Sequence, residues 1–98
     1  MKIFLSLGFS GRSKEEVLVD ISLAMVRISD IHNNELLQFV HNYDYCSENR
    51  VECLGEAIKQ MSGCDKVYFI NNWVEHNGCL IEKKVCELYN IPHELITI

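Results

Sequence analysis

The stretch 2–16, KIFLSLGFSGRSKEE, decides the fold. Residues 2–7 are apolar on both alternating faces, which predicts a strand covered on both sides, as in a parallel sheet. Gly8-Phe9-Ser10-Gly11-Arg12 then breaks the pattern, and Ser13 stands three residues before Glu16, the spacing of a capping box. Beyond it Val17, Leu18, Ile21, Ala24, Met25 and Ile28 recur at helical spacing, so an amphipathic helix is predicted over 14–30. Strand, glycine loop and helix together make the first half of a βαβ unit.

The same reading extends along the chain. Ile31 to Asn34 turns it, and Glu35–Val40 reads as a second strand. Residues 41–50 are polar and aromatic without a period and read as a loop. Leu54, Ala57, Ile58 and Met61 mark a helix over 51–62, closed by Gly63. Lys66–Ile70 is a third strand, 71–73 a loop and 76–89 a third helix, stopped by Asn90 and Pro92. Residues 94–98 form a closing strand. Strands that alternate with helices of about a dozen residues imply crossovers and a parallel sheet. The expected fold is α/β: a small flavodoxin-like or Rossmann-like three-layer sandwich with four parallel strands in the order 2-1-3-4. Nothing repeats and there is no linker, so residues 1–98 are one domain.

Composition narrows the function classes. Hydrophobic residues make up 48% and charged residues 23%, the balance of a globular protein. The longest apolar runs, such as Val67–Ile70, are far below a membrane span. The N-terminus lacks a secretory apolar region. Nine basic against 14 acidic residues give a net charge of −5, the wrong sign for a nucleic-acid binder. The five cysteines, Cys46, Cys53, Cys64, Cys79 and Cys86, form no Cys-x-x-Cys and read as reduced thiols of a cytoplasmic protein. His41, Cys46, His76 and Cys79 match no standard metal-ligand spacing, so no metal is expected. There is neither a Walker loop nor a full dinucleotide fingerprint, and no cofactor is expected.

In an open parallel sheet, ligands bind beyond the carboxyl ends of the strands, where the strand order reverses. Loops 8–12, 41–50 and 71–77 should meet there, bringing His41, Tyr43, Asp44 and Tyr45 near the site. Gly8, Phe9, Ser10, Gly11 and Arg12 precede a helix N-terminus and either cradle an anion, with Arg12 as a fork of donors, or merely turn the chain. Trp73, beside Asn71 and Asn72, either stacks on a flat ligand ring or caps the sheet end. His76 is either a proton donor or a helix residue in water.

Glu82 is the sharper signal. Its neighbours one turn away on the third helix are Gly78, Cys79, Val85 and Cys86, a small apolar face that a helix turns toward a sheet. A carboxylate there is costly without partners or a task. The alternative is a Glu82 that reaches out to Lys83 or Lys84.

These residues resemble the nucleoside 2-deoxyribosyltransferase superfamily, specifically its short phage and bacterial family of unknown function. The opening is Ile3-Phe-Leu-Ser-Leu-Gly-Phe-Ser-Gly11, and the later block is Cys64-Asp65-Lys-Val-Tyr-Phe-Ile-Asn-Asn-Trp73 followed by His76-Asn-Gly78-Cys-Leu-Ile-Glu82. The resemblance spans essentially the whole chain. It implies that Glu82 is a nucleophile at the anomeric carbon of a nucleoside, that the glycine loop holds sugar or 5′-phosphate, and that the ring lies near the first strand and Trp73. It also implies a bacterial or phage-infected cytoplasm and a homodimer or larger assembly. Three departures stand out: Ala57 where relatives place Asp, His76 where they place Asp or Ser, and no Pro in the first loop. Two readings follow. One is an N-glycosidase or deoxyribosyltransferase with Glu82 and His76 as catalytic residues. The other is a binding protein that sequesters a nucleotide-derived small molecule, for example a phage protein against a host signalling nucleotide. An assembly domain with a vestigial pocket is a third. The outward residues Val19, Leu23 and Val26 of the first helix are expected to be partly covered in a homo-oligomer.

Overall fold

The computed structural model describes residues 1–33, 35–45 and 48–98. Asn34 of the expected turn, and Cys46 and Ser47 of the loop after the second strand, lie outside the described residues. The elements run β1 (Lys2–Ser6), α1 (Lys14–Ile31), β2 (Gln38–His41), α2 (Arg50–Met61), β3 (Lys66–Ile70), α3 (Asn77–Leu88) and β4 (His93–Ile96). One-turn 3-10 helices occupy Asn42–Tyr45 and Trp73–Glu75. The four strands are parallel in the order β2-β1-β3-β4, as expected.

Three of the boundaries that differ from the sequence reading have a visible cause. β2 starts at Gln38, because pairing with β1 begins at Lys2 and the Glu35 amide is held by the His32 carbonyl at 3.2 Å. β4 starts at His93, which pairs with Val67, and the Ile98 amide is taken by Asn71 Oδ1 at 2.9 Å. Gly63 does not close α2 in a left-handed conformation. Ser62 is the cap, and the Gly63 amide continues a tight turn to Gln60 O at 3.1 Å. The N-cap of α1 is as predicted: Ser13 Oγ accepts the Glu16 amide at 3.2 Å.

β1 lies in the middle, and its side chains divide between two cores. Ile3, Leu5 and Leu7 pack with Tyr68 and Ile70 of β3 beneath Val17, Ile21, Ala24 and Ile28 of α1. Phe4 packs on the opposite face with Val67 and Phe69, beneath Ala57 and Met61 of α2 and Cys86 of α3. Thus α1 covers one face, and α2 and α3 share the other. This is the distribution that crossovers of one hand produce when the chain steps outward from β1 and then back past it. On the outside of α1, Val19, Leu23 and Val26 remain exposed.

Candidate active site

By the alternation of the strand, Ser6 points to the face of α2 and α3, and it is the one buried polar residue of β1. It meets Glu82. The Ser6 hydroxyl donates to Glu82 Oε1 at 2.7 Å, and Glu82 is only 1% exposed. The buried stripe of α3 is Cys79, Glu82 and Cys86, so the helix holds the carboxyl against the sheet rather than releasing it toward Lys83. Lys83 instead pairs with Glu87 at 2.6 Å. Burial pushes the Glu82 carboxyl up to about 7, and the Ser6 hydrogen bond pulls the other way. Cys79, also beside Ser6, is pushed up to about 12 by burial and stays a thiol.

The second Glu82 oxygen has no hydrogen-bond partner among the described residues and is open to a cleft. This cleft, about 410 Å³, lies between the first turns of α2 and α3. It is large enough for a small-molecule ligand. Gly8, Phe9 and Ser10 form one wall, Val51, Leu54 and Ala57 of α2 another, and His76, Gly78 and Ile81 a third. The space exists because the side chains around it are small. A Cβ on Gly78 would touch nothing within 4 Å, and Cys53 and Ala57 stand where larger apolar residues would fill the layer.

The end of β1 is fixed by Asn42, whose side chain accepts from the Leu7 amide at 3.2 Å and donates to the Leu7 carbonyl at 2.8 Å. This clip replaces the ladder where β2 has ended, and it sets the direction in which Gly8 leaves the sheet. Gly8 has no room for a side chain: a Cβ would lie 1.9 Å from His76 Cδ2. The His76 ring therefore packs flat against the glycine backbone. His76 is the N-cap residue of α3, but its side chain makes no capping hydrogen bond, and its ring nitrogens have no partner among the described residues. His76 separates the first cleft from a second, polar one of about 380 Å³ that reaches Asn71, Asn72 and Asp20. The second cleft lies beyond the carboxyl ends of β1 and β3, where the strand order reverses.

The structure brings Gly8, Phe9, Ser10, His76, Gly78 and Glu82 to one cleft. It places the other sequence candidates differently. Arg12 does not reach that cleft: Nη1 donates to Gly8 O at 2.9 Å and Nη2 pairs with Asp20 at 2.5 Å, so the fork expected for a ligand braces its own loop. Gly11 borders neither cleft and supplies a left-handed turn at φ 74°. Asn71 is a turn residue at φ 42° whose side chain ties down Ile98. Asn71 and Asn72 line only the polar cleft. Trp73 lines neither cleft; its ring lies against Phe69 at 5.8 Å with Lys83 over it at 5.4 Å, at the end of the core. His41 sits beside Tyr43, and Tyr43 packs on Phe9 at 5.4 Å, away from Glu82.

Ser6, Asn42 and Arg50 belong to the site and were not singled out from the sequence. Ser6 was legible as the lone hydroxyl in the apolar strand. Asn42 and Arg50 sit in and after an aperiodic loop, where no spacing rule marks them. No family model, curated protein or solved structure matches the chain. The site therefore stands on its own geometry.

Proposed function

We propose that the cleft binds a nucleoside or nucleotide and that the protein is an N-glycosidase or deoxyribosyltransferase acting through Glu82. The observation that carries this reading is the Glu82 carboxyl: almost wholly buried, held through Oε1 by Ser6, and open to the cleft through its other oxygen. A group so placed is pre-oriented toward one atom of a bound ligand. In the reaction proposed, the ionised carboxylate attacks the anomeric carbon and forms a glycosyl ester. The C–N bond electrons leave with the base, which takes a proton from His76. Water or a second base then attacks the same carbon, the C–O bond electrons return to the carboxylate, and the proton lost by the attacking group goes back to His76. Because Glu82 titrates near 7, the ionised nucleophile is gained as pH rises through about 7, and turnover should rise over the same interval.

A second reading, capture without turnover, is favoured by Ala57. It stands in the cleft wall, 1% exposed, where the resemblance implies an Asp. The wall there offers no polar group to a sugar hydroxyl, and Glu82 would then hydrogen-bond the ligand rather than attack it. The two readings part on Glu82→Gln. Incubation with a panel of nucleosides and nucleotides, followed by chromatography for free base, should show release by the wild type and a loss of several orders of magnitude in the variant, with binding retained. No release from any compound, with an affinity that worsens about tenfold or more in Glu82→Gln, overturns catalysis and leaves capture.

A further inference from the structure

We propose that His41 is an acid-operated latch on the wall of the Glu82 cleft: as a neutral imidazole its ring closes the end of β2 and holds the loop after β1, and once protonated it leaves that place and frees the wall. His41 is the last residue of β2 and pairs with Leu5 of β1. Its side chain is only 15% exposed. Nδ1 is buried and has no hydrogen-bond partner among the described residues. Nε2 faces Asp44 Oδ2 at 3.6 Å, too far for a good hydrogen bond. A neutral ring can rest there, with its hydrogen on Nε2 toward Asp44 and a bare nitrogen inside. An imidazolium cannot, because the inner nitrogen then carries a hydrogen that finds no acceptor. Burial accordingly holds the ring below the usual histidine range, and Asp44 pulls the other way. Among the described residues Asp44 is the one charged group whose field reaches the ring; β1, α1 and the loop after β1 add no other.

What the ring holds is the cleft wall. The next residue, Asn42, is buried and clips both the amide and the carbonyl of Leu7. The residue after it, Tyr43, stands 6.5 Å from the His41 ring and packs edge-on against Phe9 at 5.4 Å. Leu7 and Phe9 flank Gly8, and Gly8 and Phe9 both line the cleft. Two consecutive residues after His41 therefore each hold one side of the same glycine. Both belong to the 3-10 turn Asn42–Tyr45, which also carries Asp44. A protonated ring that turns outward meets Asp44 on this turn and gains a charge-assisted partner there. The same movement pulls on Asn42 and Tyr43, because the three residues are consecutive.

The test is a series of proton–nitrogen NMR spectra of the ligand-free protein from pH 8 to 4.5, with the His41 ring followed in the same samples. The Leu7 and Phe9 amides and the Asn42 side-chain amide should all shift with the midpoint of the His41 ring, below the ordinary value of 6.5. Hydrogen exchange at the Leu7 amide, corrected for its intrinsic pH dependence, should quicken by about tenfold or more across the same step. Glu82 titrates in the same cleft near 7, so Glu82→Gln should remove that contribution and leave the His41 step in place. His41→Phe keeps a flat ring that cannot take a proton, and it should hold all three amides level. Asp44→Asn removes the partner of the charged ring, so ring and amides should step together at lower pH. The latch is overturned if the ring does not titrate down to pH 4.5, if it titrates while Leu7 and Asn42 stay level, if their step persists in His41→Phe, or if it vanishes in Glu82→Gln. Should His41→Phe not fold, Asp44→Asn decides: amides whose midpoint does not follow the ring overturn the latch. No substrate enters these measurements, so their failure leaves the proposed reaction standing, and a protein that releases no base can still carry the latch.

Discussion

On one face of the sheet, a single helix of 18 residues lies across β1 and β3 and presents Val17, Ile21, Ala24 and Ile28 to them. On the other face two helices of 12 residues present Cys53, Ala57 and Met61, and Cys79, Glu82 and Cys86. The first set is branched aliphatics around one Ala, and it closes the layer. In the second set the large side chain, Met61, stands at the far end of α2, and the residues near the helix starts are small. Volume missing from that end of the layer becomes the cleft, and the one buried polar residue of β1, Ser6, becomes the partner of Glu82. The α1 face is filled, while the face of α2 and α3 is underfilled beside the carboxyl ends of the strands.

The largest expected consequence of this difference is in truncation. Ile28 is fully buried under α1, and Ile28→Ala should cost about 2–5 kcal/mol, the range for a large-to-small change in a closed core. Leu54 borders the cleft and is only partly buried. Leu54→Ala removes side-chain surface already in contact with solvent and leaves no closed cavity, so it should cost under about 1 kcal/mol. Urea denaturation of both variants measures this directly. Equal costs would mean that the cleft is as tightly closed as the core.

The fold was legible because each strand–helix pair announces itself locally: a run apolar on both faces, a breaker, then a 3.6-residue period. Strand order followed from the flavodoxin-like arrangement that the alternation of strands and helices implies. Glu82 was legible too, since its neighbours at helical spacing are all small and apolar. What could not be read was the direction of exposed or loop side chains. Arg12 had a carboxylate eight residues on, Asp20, two helical turns away, and the ion pair between them outweighs any waiting for a ligand. Arg50 lies in sequence 40 residues from Ser10, and only the closing of the sheet brings them together. Trp73 beside two Asn fits either a ligand platform or a cap on the sheet end, and only the fold shows its ring against Phe69.

A second difference between the faces is electrostatic. The α1 face buries no carboxyl group among the described residues, while the other buries Glu82 with its carboxyl raised to about 7 from an unfolded value near 4.5. Below both values the carboxyl is protonated in either state and contributes nothing. Between them the folded protein keeps the proton that the unfolded chain loses, so stability falls as pH rises from about 4.5 to about 7 and is level above it. The loss is on the order of 3 kcal/mol. Cys79 and Cys86, the titratable neighbours on the same helix stripe, are raised to about 12 and about 11 and remain protonated throughout. Glu82→Gln cannot ionise, so its melting temperature relative to the wild type should climb across this interval and then stay constant. Parallel curves for the two proteins from pH 4.5 to 8 would show that the carboxyl is already ionised in the folded state.

The sharpest comparison uses one substitution on both faces. Ala24 and Ala57 are both buried to within 1%, each on the core side of its helix. Ala24→Leu forces three extra carbons between α1 and the sheet, where Val17, Ile21 and Ile28 already occupy the layer, and should cost about 1–3 kcal/mol. Ala57→Leu adds the same carbons beside an empty volume of about 410 Å³. The new side chain can turn into that space, covering apolar wall instead of displacing it, and the net effect on stability should lie within about 1 kcal/mol of zero. Ligand affinity should respond the other way round: unchanged in Ala24→Leu wherever that protein is folded, and reduced about tenfold or more in Ala57→Leu, because the added carbons occupy the space between Arg50 and Glu82. Denaturant midpoints and calorimetric titration on the same two variants give both halves. If Ala57→Leu is as destabilised as Ala24→Leu and still binds normally, the volume beside Ala57 is filled by the protein itself and the ligand lies elsewhere, with the polar cleft beyond His76 the next place to look.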